Sequence, residues 1–132
     1  MSTVLIVAGL TLVGLFALVI GLQFYMIRKM QANRGQPAPE LQGEMGEWLA
    51  QGKAGLFYFF SPQCGACRAM TPVVKRLAQE RGGVFPVDVS KDLSTARSFG
   101  VMATPTVVVV RDAKVDQILI GAQSEAVLSG LI

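Results

Sequence analysis

Ser61-Pro62-Gln63-Cys64-Gly65-Ala66-Cys67 contains the only two cysteines of a 132-residue chain, three positions apart. Immediately upstream runs Leu56-Phe57-Tyr58-Phe59-Phe60, a short apolar and aromatic segment of the kind that forms a strand buried on both faces. Downstream, Arg68 to Arg81 reads as a helix with Val73, Val74, Leu77 and Ala78 on an apolar face. The cysteines therefore stand where a strand hands over to the first turn of a helix. A spacing of i, i+3 places both sulfurs on one face, close enough to bridge with little backbone movement.

That placement has chemical consequences. Only a thiolate attacks a disulfide, and a free thiol with a pKa of about 8.5 is mostly protonated at neutral pH. Free N–H groups and the positive end of a helix dipole favour the anion at Cys64, while Cys67 lies one turn further in. Gly65 and Ala66 are small and leave Cys64 open to a partner. Two other readings of the pair compete. A zinc site needs four ligands, and with no histidine or further cysteine it would need carboxylate help or a second chain. Inert core cysteines are the other, although Pro-Gln-Cys-Gly-Ala-Cys is poor core material.

Working outward toward the amino terminus, Val4 to Ile27 is a run of 24 uncharged residues interrupted only by Thr11 and Gln23. As a helix it spans about 36 Å, enough to cross a hydrocarbon core of about 30 Å with some tilt. A cleavable signal peptide would carry a shorter apolar region behind a basic start, whereas Met1-Ser2-Thr3 has no charged side chain. The expectation is a retained anchor, residues 1–27, with Phe24 and Tyr25 at the interface. Arg28, Lys29 and Arg34 follow, within a polar, proline-bearing stretch read as a juxtamembrane linker over 28–39.

These three basic residues account for the whole formal charge of +3, because residues 38–132 hold nine Lys/Arg against nine Asp/Glu. The folded part has no basic excess to meet phosphates, so nucleic-acid binding has no support. Basic residues beside a span favour the cytoplasmic side, which places the domain at the inner face of a cell membrane; an exported, periplasmic domain is the alternative.

The remaining 40–132 is enough for one domain. A helix is expected over Glu40–Gln51 with Trp48 as a core anchor, and a second strand over Val84–Val89 whose Pro86 suggests a sheet edge. A short helix is expected over Leu93–Phe99 and a hairpin over Thr106–Val110 and Val115–Ile120 about an Asp112-Ala113-Lys114 turn. A last helix capped by Ser124 completes the chain.

This order, together with the CxxC, resembles the thioredoxin family over essentially all of residues 40–132. Pro72, five after Cys67, is similar to the proline that kinks the family's active-site helix. Thr104-Pro105-Thr106 resembles its cis-proline loop, Gly100-Val101 the approach to that loop, and Gly121-Ala122 the end of the last strand.

The resemblance implies an α/β thioredoxin-like fold with a minimal four-stranded mixed sheet in order 2-1-3-4 and helices on both faces; the transmembrane helix read from the apolar run stands in front of it. It also implies a redox-active Cys64–Cys67 disulfide, with Cys64 attacking a substrate disulfide and Cys67 resolving the mixed disulfide. Pro62, Gln63, Gly65, Ala66, Thr104 and Pro105 would form the substrate-binding loops. No metal and no bound cofactor are expected; protein disulfides would be the substrates, with electrons from a partner such as a thioredoxin reductase or a membrane dithiol protein. Gly65-Ala66 stands where typical thioredoxins have Gly-Pro, Gln63 where they have Trp, Tyr58 at their buried acid and Pro86 at the accompanying lysine. A binding or assembly module with little redox turnover, and an exported reductase serving cofactor or cytochrome maturation, are the alternative functions.

Overall fold

A computed structural model describes residues 1–132 as one long helix leading into an α/β domain. The elements are α1 Ser2–Gln31, α2 Gly43–Ala50, β1 Gly55–Phe60, α3 Cys67–Glu80, β2 Val84–Asp88, α4 Leu93–Ser98, β3 Thr106–Arg111, β4 Lys114–Ile120 and α5 Glu125–Gly130. The sheet order is β2-β1-β3-β4, with β1 parallel to β2 and antiparallel to β3, and β3 antiparallel to β4. This is the mixed four-stranded sheet expected from the sequence.

β1 lies at the centre, and period-2 alternation divides its side chains between two cores. Leu56 and Tyr58 face Met70, Val74 and Leu77 of α3 and Leu128 of α5. Phe57 and Phe59 face Phe85, Ala96 and Phe99, with α2 covering that side through Leu41, Met45, Trp48 and Leu49. The α3 positions Cys67, Met70, Val74 and Leu77 are all buried, at the i, i+3, i+7 spacing of one helix face. Each such Val, Leu or Met contributes roughly 1.5–3 kcal/mol through burial. Pro86 sits in β2 at the sheet edge, where its missing N–H costs no ladder bond.

α2 differs from the sequence expectation in two ways. α2 begins at Gly43, three residues later than Glu40, because Gln42 is extended and the Leu41 carbonyl folds onto Gly46. Trp48 is half-buried rather than central: it meets Phe85 edge-on at 6.1 Å and donates Nε1–H to the Ala54 carbonyl at 2.8 Å. Its ring closes over Gly82 and Gly83, where a Cβ on either would come within 2.8 Å.

α1 is long and apolar enough to cross a membrane, with a mean hydropathy of 2.7 over its best window and none of that window buried. The polar stretch after it does not hang free. Met30 is buried, Gln31 Nε2 donates to the Ile118 carbonyl at 3.0 Å, and Arg34 Nε donates to that of Asp116 at 2.8 Å. Asn33 Nδ2 donates to the Phe99 carbonyl at 3.2 Å and lies against Gly100, where a Cβ would come within 2.1 Å of it. Backbone bonds continue from Gly35 N–H to Val115 O, Val115 N–H to Gln36 O and Ala38 N–H to Ala113 O. Residues 31–38 thus form a strap along the outer edge of β4.

Candidate active site

β1 ends at Phe60, and the chain turns through Ser61 to Ala66 before α3 starts at Cys67. The Cys64 N–H donates to the Ser61 carbonyl at 3.2 Å, and the Cys67 N–H to the Cys64 carbonyl at 3.3 Å, which winds the loop into the helix. Cys64 and Cys67 are joined in a disulfide with their Cα atoms 5.3 Å apart.

The two sulfurs are not equivalent. Cys67 is buried, 1 % exposed, under the first turn of α3, whereas Cys64 is partly exposed. The Cys67 N–H points at Cys64 Sγ from 3.2 Å, so a helix N-terminal donor is aimed at the outer sulfur. That donor and the helix dipole stabilise negative charge on Cys64 and not on Cys67. Pro62, Gln63, Gly65 and Ala66 are all exposed around it.

The second loop reaches the same end of the sheet. Phe59 pairs with Thr106, so Pro105 comes alongside Phe60, where the cysteine loop departs. The Thr104–Pro105 peptide bond is cis, Pro105 is buried, and the Pro105 carbonyl accepts the Gly121 N–H at 2.9 Å. Neither the N–H nor the C=O of Thr104 is bonded within the chain, which leaves both to meet an extended backbone. Thr106 stays in the sheet, its hydroxyl donating to the Ala103 carbonyl at 2.8 Å.

Beneath Cys67 lies Tyr58, paired in register with Pro86. Its hydroxyl is 2.9 Å from Thr71 Oγ1 and 3.3 Å from the Cys67 carbonyl, while Thr71 Oγ1 donates to that same carbonyl at 2.8 Å. Burial pushes the Tyr58 phenol above its ordinary range, only partly offset by the Thr71 hydrogen bond. The group is therefore a neutral hydroxyl at physiological pH.

Sequence reading missed Thr71. The available signal was a hydroxyl residue inside a helix, four positions after a cysteine and directly before Pro72, where side-chain bonding to the i−4 carbonyl is common. No three His, Cys, Asp or Glu side chains gather in a metal-binding group, so carboxylates do not complete a site with the two sulfurs.

The family model for thioredoxin matches residues 42–132. The thioredoxin of Bacillus subtilis is 34 % identical over 77 residues, covering 56 % of this chain and 74 % of its own. That of Mycobacterium tuberculosis is 32 % identical over 83 residues, covering 61 % and 72 %. Among solved structures, a reduced thioredoxin pre-protein from Schistosoma mansoni superposes with a TM-score of 0.56 at 30 % identity, covering 69 % of this chain and 89 % of that one. The thioredoxin of Fasciola hepatica gives 0.54 at 31 % identity, with coverages of 64 % and 86 %.

Proposed function

This chain belongs to the thioredoxin family, and on that premise we propose that it is a membrane-anchored thiol–disulfide oxidoreductase that reduces disulfides in protein partners. The observation that carries the reading is the asymmetry of the pair: an outer sulfur faced by a helix N–H, and an inner one buried beneath it. In the reduced enzyme the Cys64 thiolate attacks one sulfur of a substrate disulfide. The Cys64–substrate bond forms as the substrate's own S–S bond breaks, and the displaced thiolate takes up a proton. Cys67, as thiolate, then attacks Cys64 Sγ, closing the Cys64–Cys67 disulfide and releasing the second substrate thiol. Two electrons have passed to the substrate, and a reductase or membrane dithiol protein restores the pair. Thr104 holds the substrate backbone, and Pro62, Gln63, Gly65, Ala66 and Pro105 shape the surface around the sulfurs.

Residues 4–27 anchor the chain, and Arg28, Lys29 and Arg34 favour an inner-membrane arrangement with the domain in the cytoplasm. Full-length protein supplied with a dithiol donor is expected to reduce insulin, and its Cys64–Cys67 couple to have a potential near or below about −270 mV. A couple near −120 to −180 mV would make it an oxidant or isomerase. No insulin reduction would favour a binding module, the second reading, which the neutral Tyr58 at the family's acid position supports.

Tyr58 sets a further expectation. A phenol held protonated is a poor acceptor for the Cys67 proton, so mixed-disulfide release should be slow beside thioredoxins that carry the acid. Tyr58→Phe keeps the Thr71-to-Cys67 bond. It should change the resolution rate by less than about threefold, at a stability cost of about 1 kcal/mol. Tyr58→Asp should accelerate resolution while destabilising the fold by about 1–3 kcal/mol. Stopped-flow release and urea melts measure both; strongly slowed release in Tyr58→Phe would mean that the hydroxyl itself carries the proton. Because folding raises the Tyr58 pKa, its share of stability is complete below the unfolded value of about 10. It is lost as pH rises beyond that value toward the folded pKa.

A further inference from the structure

The redox pair forms one wall of a groove of about 520 Å³ on the side of α3 that faces the end of β2. Arg68, Lys75 and Lys91 stand around it, each exposed. The close ion pairs of the chain join Arg76 to Glu80 and Glu125, and Arg111 to Asp116, so none of these three groove cations is held in a direct salt bridge. The one carboxylate in the groove, Asp88, offsets one of the three positive charges: its Oδ1 accepts the Ser90 N–H at 2.9 Å and the Ser90 hydroxyl at 2.6 Å. These bonds, with Lys91 and Lys75 nearby, hold its carboxyl below the usual range, which leaves three cations against one anion. Lys75 is steadied by the Phe60 ring, whose centre lies 5.8 Å from Nζ. Residues 38–132 are neutral in sum, so these cations beside the reacting sulfur mark a local concentration of positive charge.

We infer that this groove selects acidic polypeptide substrates, in which carboxylate side chains flank the disulfide presented to Cys64. The inference rests on the oxidoreductase reading above and names the substrate class of that same site. The groove is continuous with Cys64, so a chain lying in it delivers its sulfur to the nucleophile as its carboxylates meet Lys75 and Lys91. Phe60 and Pro72 supply apolar wall for the intervening residues. The cis-proline loop binds backbone and is indifferent to side-chain charge; the groove adds the discrimination that backbone pairing lacks. Exposed pairs are individually weak, and two acting together correspond to about a tenfold preference at low salt.

The test uses the full-length chain in neutral-lipid nanodiscs with a dithiol donor. Its substrates are three fluorogenic peptide disulfides of equal length flanked by Glu, Gln or Lys. The expected order of kcat/KM is Glu, then Gln, then Lys, spanning about tenfold and shrinking toward unity at 0.5 M salt. Combined Lys75→Glu and Lys91→Glu should invert the order. Lys53→Glu, placed before β1 at the other end of the sheet, should leave it unchanged. Equal turnover of all three peptides would overturn the groove inference while leaving the oxidoreductase standing. Turnover of none would bring down the oxidoreductase reading, and the inference with it. Equal turnover, with Lys75 and Lys91 shielded from a water-soluble amine reagent only when the discs contain phosphatidylglycerol, would assign the groove to the lipid surface and overturn the inference.

Discussion

Cys67→Ser is expected to turn the chain from a catalyst into a trap. Cys64 keeps its exposure, and the amide at position 67 can still point at Cys64 Sγ, so attack on a partner disulfide proceeds. The serine hydroxyl cannot displace the product, and substrate remains bonded to Cys64 until an external thiol removes it. Cys64→Ser should behave differently. It leaves only a buried thiol, 1 % exposed, which a protein substrate cannot approach. Turnover should fall by about a thousandfold or more in either variant, as when a nucleophile is removed from other enzymes that act through a covalent intermediate. Non-reducing gels of affinity-purified protein separate the two cases, with adducts for Cys67→Ser and none for Cys64→Ser. Equal trapping by both would mean that the roles are misassigned.

The second large effect concerns location. Large apolar side chains from Val4 to Ile27 lie 38–70 % exposed in the isolated chain, a continuous apolar surface far beyond what a soluble monomer presents to water. The full-length protein is expected to sediment with membranes and resist alkaline extraction. Deleting residues 2–27 should move it entirely to the soluble fraction, with Met30 and the strap still docked. In intact spheroplasts a membrane-impermeant maleimide should leave reduced Cys64 unlabelled, and lysis should expose it fully. Labelling before lysis would place the domain outside and favour an exported reductase.

What could be read without coordinates was whatever is encoded locally. The unbroken apolar run Leu56–Phe60, the turn at Asp112-Ala113-Lys114 and the cap at Ser124 each announce their own geometry, and the strand order followed from the resemblance they support. The Thr104–Pro105 loop was legible as a motif, though proline in a sequence does not reveal its isomer. The strap escaped notice because its bonds connect residues 82 and 87 positions apart, and Gln-Ala-Asn-Arg-Gly-Gln-Pro has the composition of a linker whether or not it docks. The groove cations escaped for the same reason. Arg68 and Lys75 belong to α3 and Lys91 to the turn after β2, so they converge only once β1 and β2 are paired.

The strap also sets how far the redox centre can travel. From Ile27, the end of the apolar run, only two residues intervene before Met30, which is already part of the domain's buried surface. A domain of this size has a radius of gyration of about 12 Å. A flexible ten-residue tether would add roughly 16–19 Å of root-mean-square reach, and this chain has no such slack. With α1 in a bilayer, as proposed above, the enzyme would patrol a layer about one domain thick. A partner held in the same membrane shares that layer and meets it as though at high concentration, and one dissolved in the aqueous compartment gains no such advantage. Short reach is in this way a filter on clientele, acting before any contact between enzyme and substrate.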